Sequence, residues 1–491
     1  MASNFLLYLP ENSDKSLQAQ IRETIVSAIL DGHIPPGSHL PSGRKLAEQL
    51  GVARNTVVLA YQQLVDEGYL LAKQRSGYYV CDDILEGKVQ VSAPVVQERD
   101  DIGWYERLVA TPSEQRYDTK PLDWQDYEYP FIRGQFDPSL FPIADWRQST
   151  RQSLAVQTIR YWAKDSVDSD DPLLVEQLRK RVLPRRGVWA NPDEILVTMG
   201  TQQALYLLGR LLIGAHTEVG LEDPGYPDAR NIFSLITDRL VGLPVDGEGL
   251  KVSDNLMRCR LIYTTPSHHY PTNVIMSLAR RKQILASAAD NDSVIIEDDY
   301  EVETNYVENP TPALKSLDSD GRVIYIGSMS KTLAPGLRMG YLVAPAPLIR
   351  EARAMRRLMM RHPPANNQRT LAVFLAEGHH DSLSRRLNHA YRDRWEVMAE
   401  ALDRYLPSMT YTPTRGGTSY WIRGDASLNC RSLDEAARQQ SILIEPGDTR
   451  FLSENPPMNY FSLGFSSIGV DKIDPGVRAL AEIVKEQQDS A

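Results

Sequence analysis

"YIGSMSKTLAPGLRMGYLVAP", Tyr325–Pro345, holds a lysine in company that ordinary packing does not require. An apolar strand runs into Gly327, then Ser328, Ser330 and Lys331, then a loop, Arg338 and another strand. The hydroxyls and Arg338 suit a phosphate, and Lys331 suits an aldehyde.

Five more apolar runs precede this one: "EILVTMG", "EVGLEDPG", "RLVGLPV", "RLIYTT" and "SVIIEDD". Most are solid rather than alternating, as in a sheet covered on both faces. Helical stretches such as "TQQALYLLGRLL" and "MSLARRKQILASAAD" lie between several of them. The pattern predicts a doubly wound α/β domain, with ligands at the carboxyl ends of its strands.

Chemistry-bearing residues stand at those ends. Gly200, Thr201 and Gln202 open a helix, where backbone N–H groups cradle anions. Tyr226 sits on a proline and glycine loop and is able to stack on a flat ring. His268, His269 and Tyr270 end another strand, without a third ligand at useful spacing for a metal. Asp298, Asp299 and Tyr300 end a buried run, where a carboxylate needs a positive partner. A pyridinium N–H is such a partner. With Ser328, Lys331 and Arg338, the set specifies pyridoxal 5′-phosphate (PLP) held by the lysine as a Schiff base.

The chain begins differently. "SLQAQIRETIVSAILDGHI" puts Leu17, Ile21, Ile25, Ala28 and Ile29 on one helical face. In "LPSGRKLAEQLGVARNTVVLAYQQLVDEGYL", Ser42 caps a short helix and Gly51 makes a tight turn. A second helix follows, from about Arg54 to Glu67, with Val57, Tyr61, Leu64 and Val65 inward. Its polar, basic start suits a DNA recognition helix. "YLLAKQRSGYYV" then reads as a wing with a basic tip.

With 491 residues, two or more domains are expected. Residues 1–80 are the first, 81–125 a polar linker, and 126–491 the second. The net charge of −10 must be read by domain, so it does not exclude nucleic acid. Cys81, Cys259 and Cys430 are unpatterned, which argues against a disulfide framework or a zinc site. No apolar run is long enough to span a bilayer, and "MASNFLLYLPENSDK" lacks a signal peptide's features. A cytoplasmic protein that binds no metal is expected.

Residues 14–80 resemble the DNA-binding domain of the GntR family of bacterial regulators. The resemblance implies DNA contacts from Ser42, Arg44, Arg54, Asn55 and Thr56, and from Lys73, Arg75, Ser76 and Gly77 on the wing. Residues 126–491 resemble the fold-type I PLP-dependent aminotransferases, with a mixed, mostly parallel sheet. A winged helix, a linker and an aminotransferase-like domain, in that order, are similar to the MocR (GabR-like) subfamily of GntR regulators. That implies Lys331 as the Schiff-base lysine and Asp298, rather than Glu297, opposite the pyridine nitrogen. It implies Tyr300 near the ring hydroxyl, Tyr226 stacked on the ring, and Tyr270 among the cofactor contacts. Gly200, Thr201, Gln202, Ser328 and Arg338 would surround the phosphate. A head-to-tail homodimer on operator DNA is implied as well.

Two positions depart from the aminotransferase pattern. Tyr270-Pro271-Thr272-Asn273 stands in place of Asn-Pro-Thr-Gly. Ser462, in "NYFSLGFSSI", stands in place of the arginine that grips the substrate α-carboxylate. Arg423 or Arg230 could serve instead, or Asp228 could face an amine. The expected function is a transcriptional regulator that senses an amino compound by aldimine exchange on Lys331, without productive turnover. The alternatives are a working aminotransferase and a regulator that senses PLP itself. The effector is left open among diamino acids, taurine, γ-aminobutyrate and other amines.

Overall fold

The computed structural model describes residues 9, 15–73, 76–84, 103–301, 304–306, 311–412 and 414–489. Arg75 and much of the expected linker lie outside the described residues. The chain divides into two compact units, Met1–Arg107 and Leu108–Ala491.

The first unit holds α1 (Leu17–Leu30), α2 (Gly43–Leu50), α3 (Arg54–Asp66), β1 (Leu70–Lys73) and β2 (Gly77–Val80). Ile21, Ile25 and Ile29 of α1 are buried against Val57, Ala60, Tyr61 and Leu64 of α3. Val65 is only partly buried, and Ala60 takes the inward place between Val57 and Leu64. Ser42 caps α2 by accepting the N–H of Lys45 at 3.3 Å, and Gly51 ends it at φ +65°. β1 and β2 pair antiparallel, Lys73 opposite Gly77, which forms the expected wing.

The second unit is built on one sheet. Its strands are β3 (Ile195–Thr198), β4 (Val219–Asp223), β5 (Leu240–Asp246), β6 (Gly249–Leu250), β7 (Leu261–Thr264), β8 (Val294–Asp299), β9 (Val323–Ser328) and β10 (Gly340–Val343). They lie in the order β3-β10-β9-β8-β7-β4-β5-β6. β10 runs against both its neighbours and β6 against β5, and the other pairings are parallel. All seven apolar runs became strands. Helices pack on both faces, among them α4 (Gly200–Leu212) and α5 (Pro227–Ser234).

A smaller antiparallel sheet carries β11 (Thr410–Tyr411), β12 (Ser419–Arg423), β13 (Glu445–Pro446) and β14 (Tyr460–Gly464), in the order β11-β12-β14-β13. Ser462 lies at its centre, opposite Trp421 on one side and Glu445 on the other.

The stretch read as linker differs from expectation over residues 108–125, which belong to the large unit. Gln115 donates to Asn231 O at 3.1 Å, and Arg116 donates to Phe451 O at 3.0 Å. This is irregular backbone with short 3-10 turns at Pro112–Glu114 and Trp124–Asp126, docked by side chains, so it carries no hydrophobic period for a sequence reading to find.

Candidate functional site

Three consecutive carboxylates end β8, and the strand's alternation gives them different tasks. Glu297 accepts the N–H groups of Leu314 and Lys315 at 2.8 and 2.9 Å, with Arg281 3.6 Å away. Asp299 takes Arg186 Nε and the Tyr325 hydroxyl, each at 2.8 Å. Glu297 is thus satisfied on both oxygens, and Asp299 is neutralised by Arg186 through Oδ2, although its own buried Oδ1 has no hydrogen-bond partner among the described residues. Asp298 accepts the Tyr263 hydroxyl at 2.9 Å on Oδ2, while its buried Oδ1 has no partner among the described residues. Burial pushes the Asp298 carboxyl up to about 7, the Tyr263 bond opposing this in part.

Asp298 shares a chamber with Thr201, Tyr226, Tyr263, Thr265, Tyr270, Tyr300 and Lys331, a cavity of about 50 Å³. Lys331 is deep in the unit, yet much of its surface is open because it lines this chamber. Burial lowers its pKa, as do Lys120 and Arg133, while Glu301 raises it. Gly134, at φ +67°, makes room for it, since a Cβ there would lie 2.6 Å from Lys331 Nζ. Lys331 Nζ is 6.0 Å from the Tyr300 ring centroid. The Tyr300 hydroxyl is buried without a partner among the described residues.

Tyr226 meets Tyr270 edge-on at 5.3 Å and donates to Asp228 Oδ2 at 3.0 Å. Asp228 also takes the Gln202 amide at 2.5 Å, so it is committed. Arg338 donates to Met199 O and Gln202 Oε1, both at 3.3 Å, and passes close over Gly200. Gly200, Thr201, Gln202 and Arg338 therefore sit together at the start of α4. Ser328 is buried at the end of β9 but lines a neighbouring cavity with Arg185, Arg186 and Tyr341, not the Lys331 chamber.

Asn273 adopts φ +57°, the left-handed region where the aminotransferase pattern has glycine. His268 and His269 are buried, and burial lowers them to about 4 and 3, so both are neutral.

Sequence reasoning missed Arg450. Its guanidinium is fully buried and donates to Ser462 Oγ at 2.5 Å, Glu445 Oε2 at 3.2 Å and Asp118 Oδ2 at 3.2 Å. Burial alone would lower its pKa, but Asp118, Tyr270 and Glu445 more than offset this and hold it raised. A guanidinium thus rests against the very side chain that replaces the pattern's arginine. Arg423 is exposed beside Tyr460, and Arg230 is spent on the carbonyls of Thr449, Phe451 and Arg116. Only the apolar setting of "RFL", after a glycine turn, hinted that Arg450 was not on the surface.

In the first unit, Arg44, Arg54, Asn55, Lys73 and Ser76 are exposed, while Thr56 and Gly77 are half-buried. Ala53 offers no capping side chain to α3, which leaves the helix start open to an anion. Ser76 Oγ lies 2.7 Å from the Tyr79 hydroxyl, and Lys73 Nζ lies 4.6 Å from that ring's centroid.

Comparison with known proteins agrees with both halves. The family "Bacterial regulatory proteins, gntR family" matches residues 17–80, and "Aminotransferase class I and II" matches residues 126–452. The transcriptional regulator TauR of Rhodobacter capsulatus is 40% identical over 97% of this chain and 98% of its own. The probable rhizopine catabolism regulatory protein MocR of Rhizobium meliloti is 30% identical over 97% and 95%.

This chain belongs to the MocR-type GntR regulators. Its larger unit has the fold-type I aminotransferase architecture of that family. The α-aminoadipate aminotransferase LysN of Thermus thermophilus, solved with N-(5′-phosphopyridoxyl)-L-leucine, is similar at TM-score 0.72 and 26% identity. The match covers 79% of this chain and 100% of that one. The kynurenine aminotransferase of Pyrococcus horikoshii, solved with PMP, reaches TM-score 0.70 at 26% identity, covering 78% and 98%. Among the described residues, no helix of this MocR-type chain is long and apolar enough to cross a membrane.

Proposed function

We propose that this MocR-type regulator senses an amino compound through PLP held by Lys331 and couples that event to DNA binding. The observation that carries the reading is Asp298 Oδ1, a buried carboxylate oxygen left without a partner in the Lys331 chamber. Such an oxygen is costly unless something meets it, and a pyridinium N–H would. The bare Tyr300 hydroxyl is a donor for the ring's own oxygen, and Tyr226 offers a stacking face. Gly200, Thr201, Gln202 and Arg338 would hold the phosphate.

Bound there, PLP supplies a carbonyl carbon that holds one amine and exchanges it for another. The lowered pKa of Lys331 raises its neutral, nucleophilic fraction. Coupling to DNA needs only that the effector favour one of two conformations of the protein. Ser42, Arg44, Arg54, Asn55 and Thr56, with Lys73, Arg75, Ser76 and Gly77, are the proposed DNA contacts. A head-to-tail homodimer in the cytoplasm belongs to the same proposal, as does sensing without turnover.

The test is the visible absorption of the purified protein beside Lys331→Ala, titrated with amino acids, ω-amino acids, aminosulfonates and diamines. A band present only in the wild type and moved by one compound is the expected result. Absence of any band would overturn the cofactor reading. Steady release of a keto product would mark an aminotransferase instead, and operator binding that answers to PLP alone would mark a PLP sensor.

A further inference from the structure

Arg450 has a setting built for an acid. Its guanidinium lies 5.4 Å from the ring centroid of Tyr270 and 5.3 Å from that of Trp421. Aromatic faces with a planar fork of N–H donors recognise carboxylates and other oxyanions. Two acids already occupy it. Glu445 comes from β13 of the small sheet and is a fixed part of the fold. Asp118 comes from the docked stretch at the edge of the unit and is only half-buried.

Asp118 is placed as a small acid would be. One oxygen takes Arg450 Nε and the Tyr270 hydroxyl, and the other takes the Thr449 hydroxyl. Tyr270 also lines the Lys331 chamber, so Asp118 and that chamber share a wall. Lys120 pairs with Glu445 at 3.3 Å, and Arg133 stacks on Tyr270 at 4.3 Å. If Asp118 leaves, Arg450, Lys120 and Arg133 face one carboxylate, Glu445, and the place attracts an anion.

We propose that Asp118 keeps the place of the effector's own acidic group. The effector is then an amine bearing a carboxylate or sulfonate, which displaces Asp118 from Arg450 and Tyr270. Displacement loosens Gln115–Thr119, which belong to the stretch that joins the two units along the chain, while Lys120 stays paired with Glu445. This rests on the sensor reading above.

The test uses the full PLP-loaded chain, wild type, Asp118→Asn and Asp118→Ala. Each is titrated with β-alanine, γ-aminobutyrate and 2-aminoethanesulfonate, and with propylamine and butylamine, following the visible band. Trypsin cleavage after Arg116 is followed in parallel. Loss of the competing charge should tighten the acid-bearing amines about tenfold or more and leave the plain amines unchanged. In the wild type, the amines whose acid displaces Asp118 should speed cleavage after Arg116. The carboxylate and sulfonate arms show which acid is preferred. Equal effects on acid-bearing and plain amines, or cleavage after Arg116 that no acid-bearing amine speeds, would overturn the proposal while the band still upholds the cofactor. A wild-type chain with no band would overturn both.

Discussion

Tyr263 donates its hydroxyl to Asp298 Oδ2 at 2.9 Å, and no described residue meets Oδ1. The carboxyl is pushed up to about 7 by burial, against about 3.9 in an unfolded chain. Below about pH 4 both states are protonated and the site costs nothing. As pH rises from about 4 to 7 the unfolded chain ionises first, so stability falls, by up to about 4 kcal/mol. Asp298→Asn removes this cost. Without cofactor, the variant should melt higher than the wild type at pH 8 and close to it at pH 4.5. With PLP the order should reverse at pH 8, because the amide cannot pair with a pyridinium. A melting difference independent of pH would refute the assignment.

Gly134 gives a second prediction. Its φ of +67° and the 2.6 Å gap between a built Cβ and Lys331 Nζ make it a spacer for the lysine. Gly134→Ala strains the backbone by about 1 kcal/mol and pushes the amine from its place. The fold should survive, since the atom met is the end of a flexible side chain. The visible band should weaken or shift, and a spectrum identical to the wild type would count against this position for Lys331.

Much of this was legible in the sequence, because seven apolar runs with polar ends are what a covered parallel sheet requires. Lys331, Asp298, Tyr226 and Tyr300 follow from standing at those ends. The choice of Asp298 over Glu297 comes from the family resemblance, and in the structure Glu297 is tied to the Leu314 and Lys315 N–H groups and Asp299 Oδ2 to Arg186, while Asp298 lines the Lys331 chamber. Arg450 and Asp118 were not legible. They lie 332 residues apart in the chain, and only the docking of an aperiodic stretch brings them together. Ser328 suited the phosphate by spacing, but lining another cavity is a matter of side-chain surroundings that spacing does not encode.

DNA binding yields a third prediction. Arg44 and Arg54 are exposed, with no partner among the described residues. Each phosphate contact that Arg54→Ala removes should lower the slope of log affinity against log salt by about 1. The visible band should not change, because the DNA-binding unit has its own core around Ile25, Val57, Tyr61 and Leu64. Mobility shifts at several salt concentrations, beside a spectrum, check both halves. An unchanged slope would remove Arg54 from the interface.

The same separation of cores can be tested from the other side. Gly464, in β14, donates its N–H to Phe131 O at 3.0 Å, and a Cβ there would lie 2.2 Å from Ile132 O. The atoms met are backbone, so no side chain can turn away to relieve the clash. Gly464→Ala must push apart β14 and residues 131–133, and overpacking of this kind costs about 1–3 kcal/mol. Arg133 and Gly134 lie on the displaced segment, so the Lys331 chamber should be disturbed as well. Calorimetry should find the large unit's transition several degrees lower, with the visible band weakened. Operator affinity of the DNA-binding unit measured without effector should hold, unless assembly through the large unit contributes to it, in which case affinity and dimer mass would fall together. A large unit that melts as in the wild type would mean that β14 and this segment are not so closely packed.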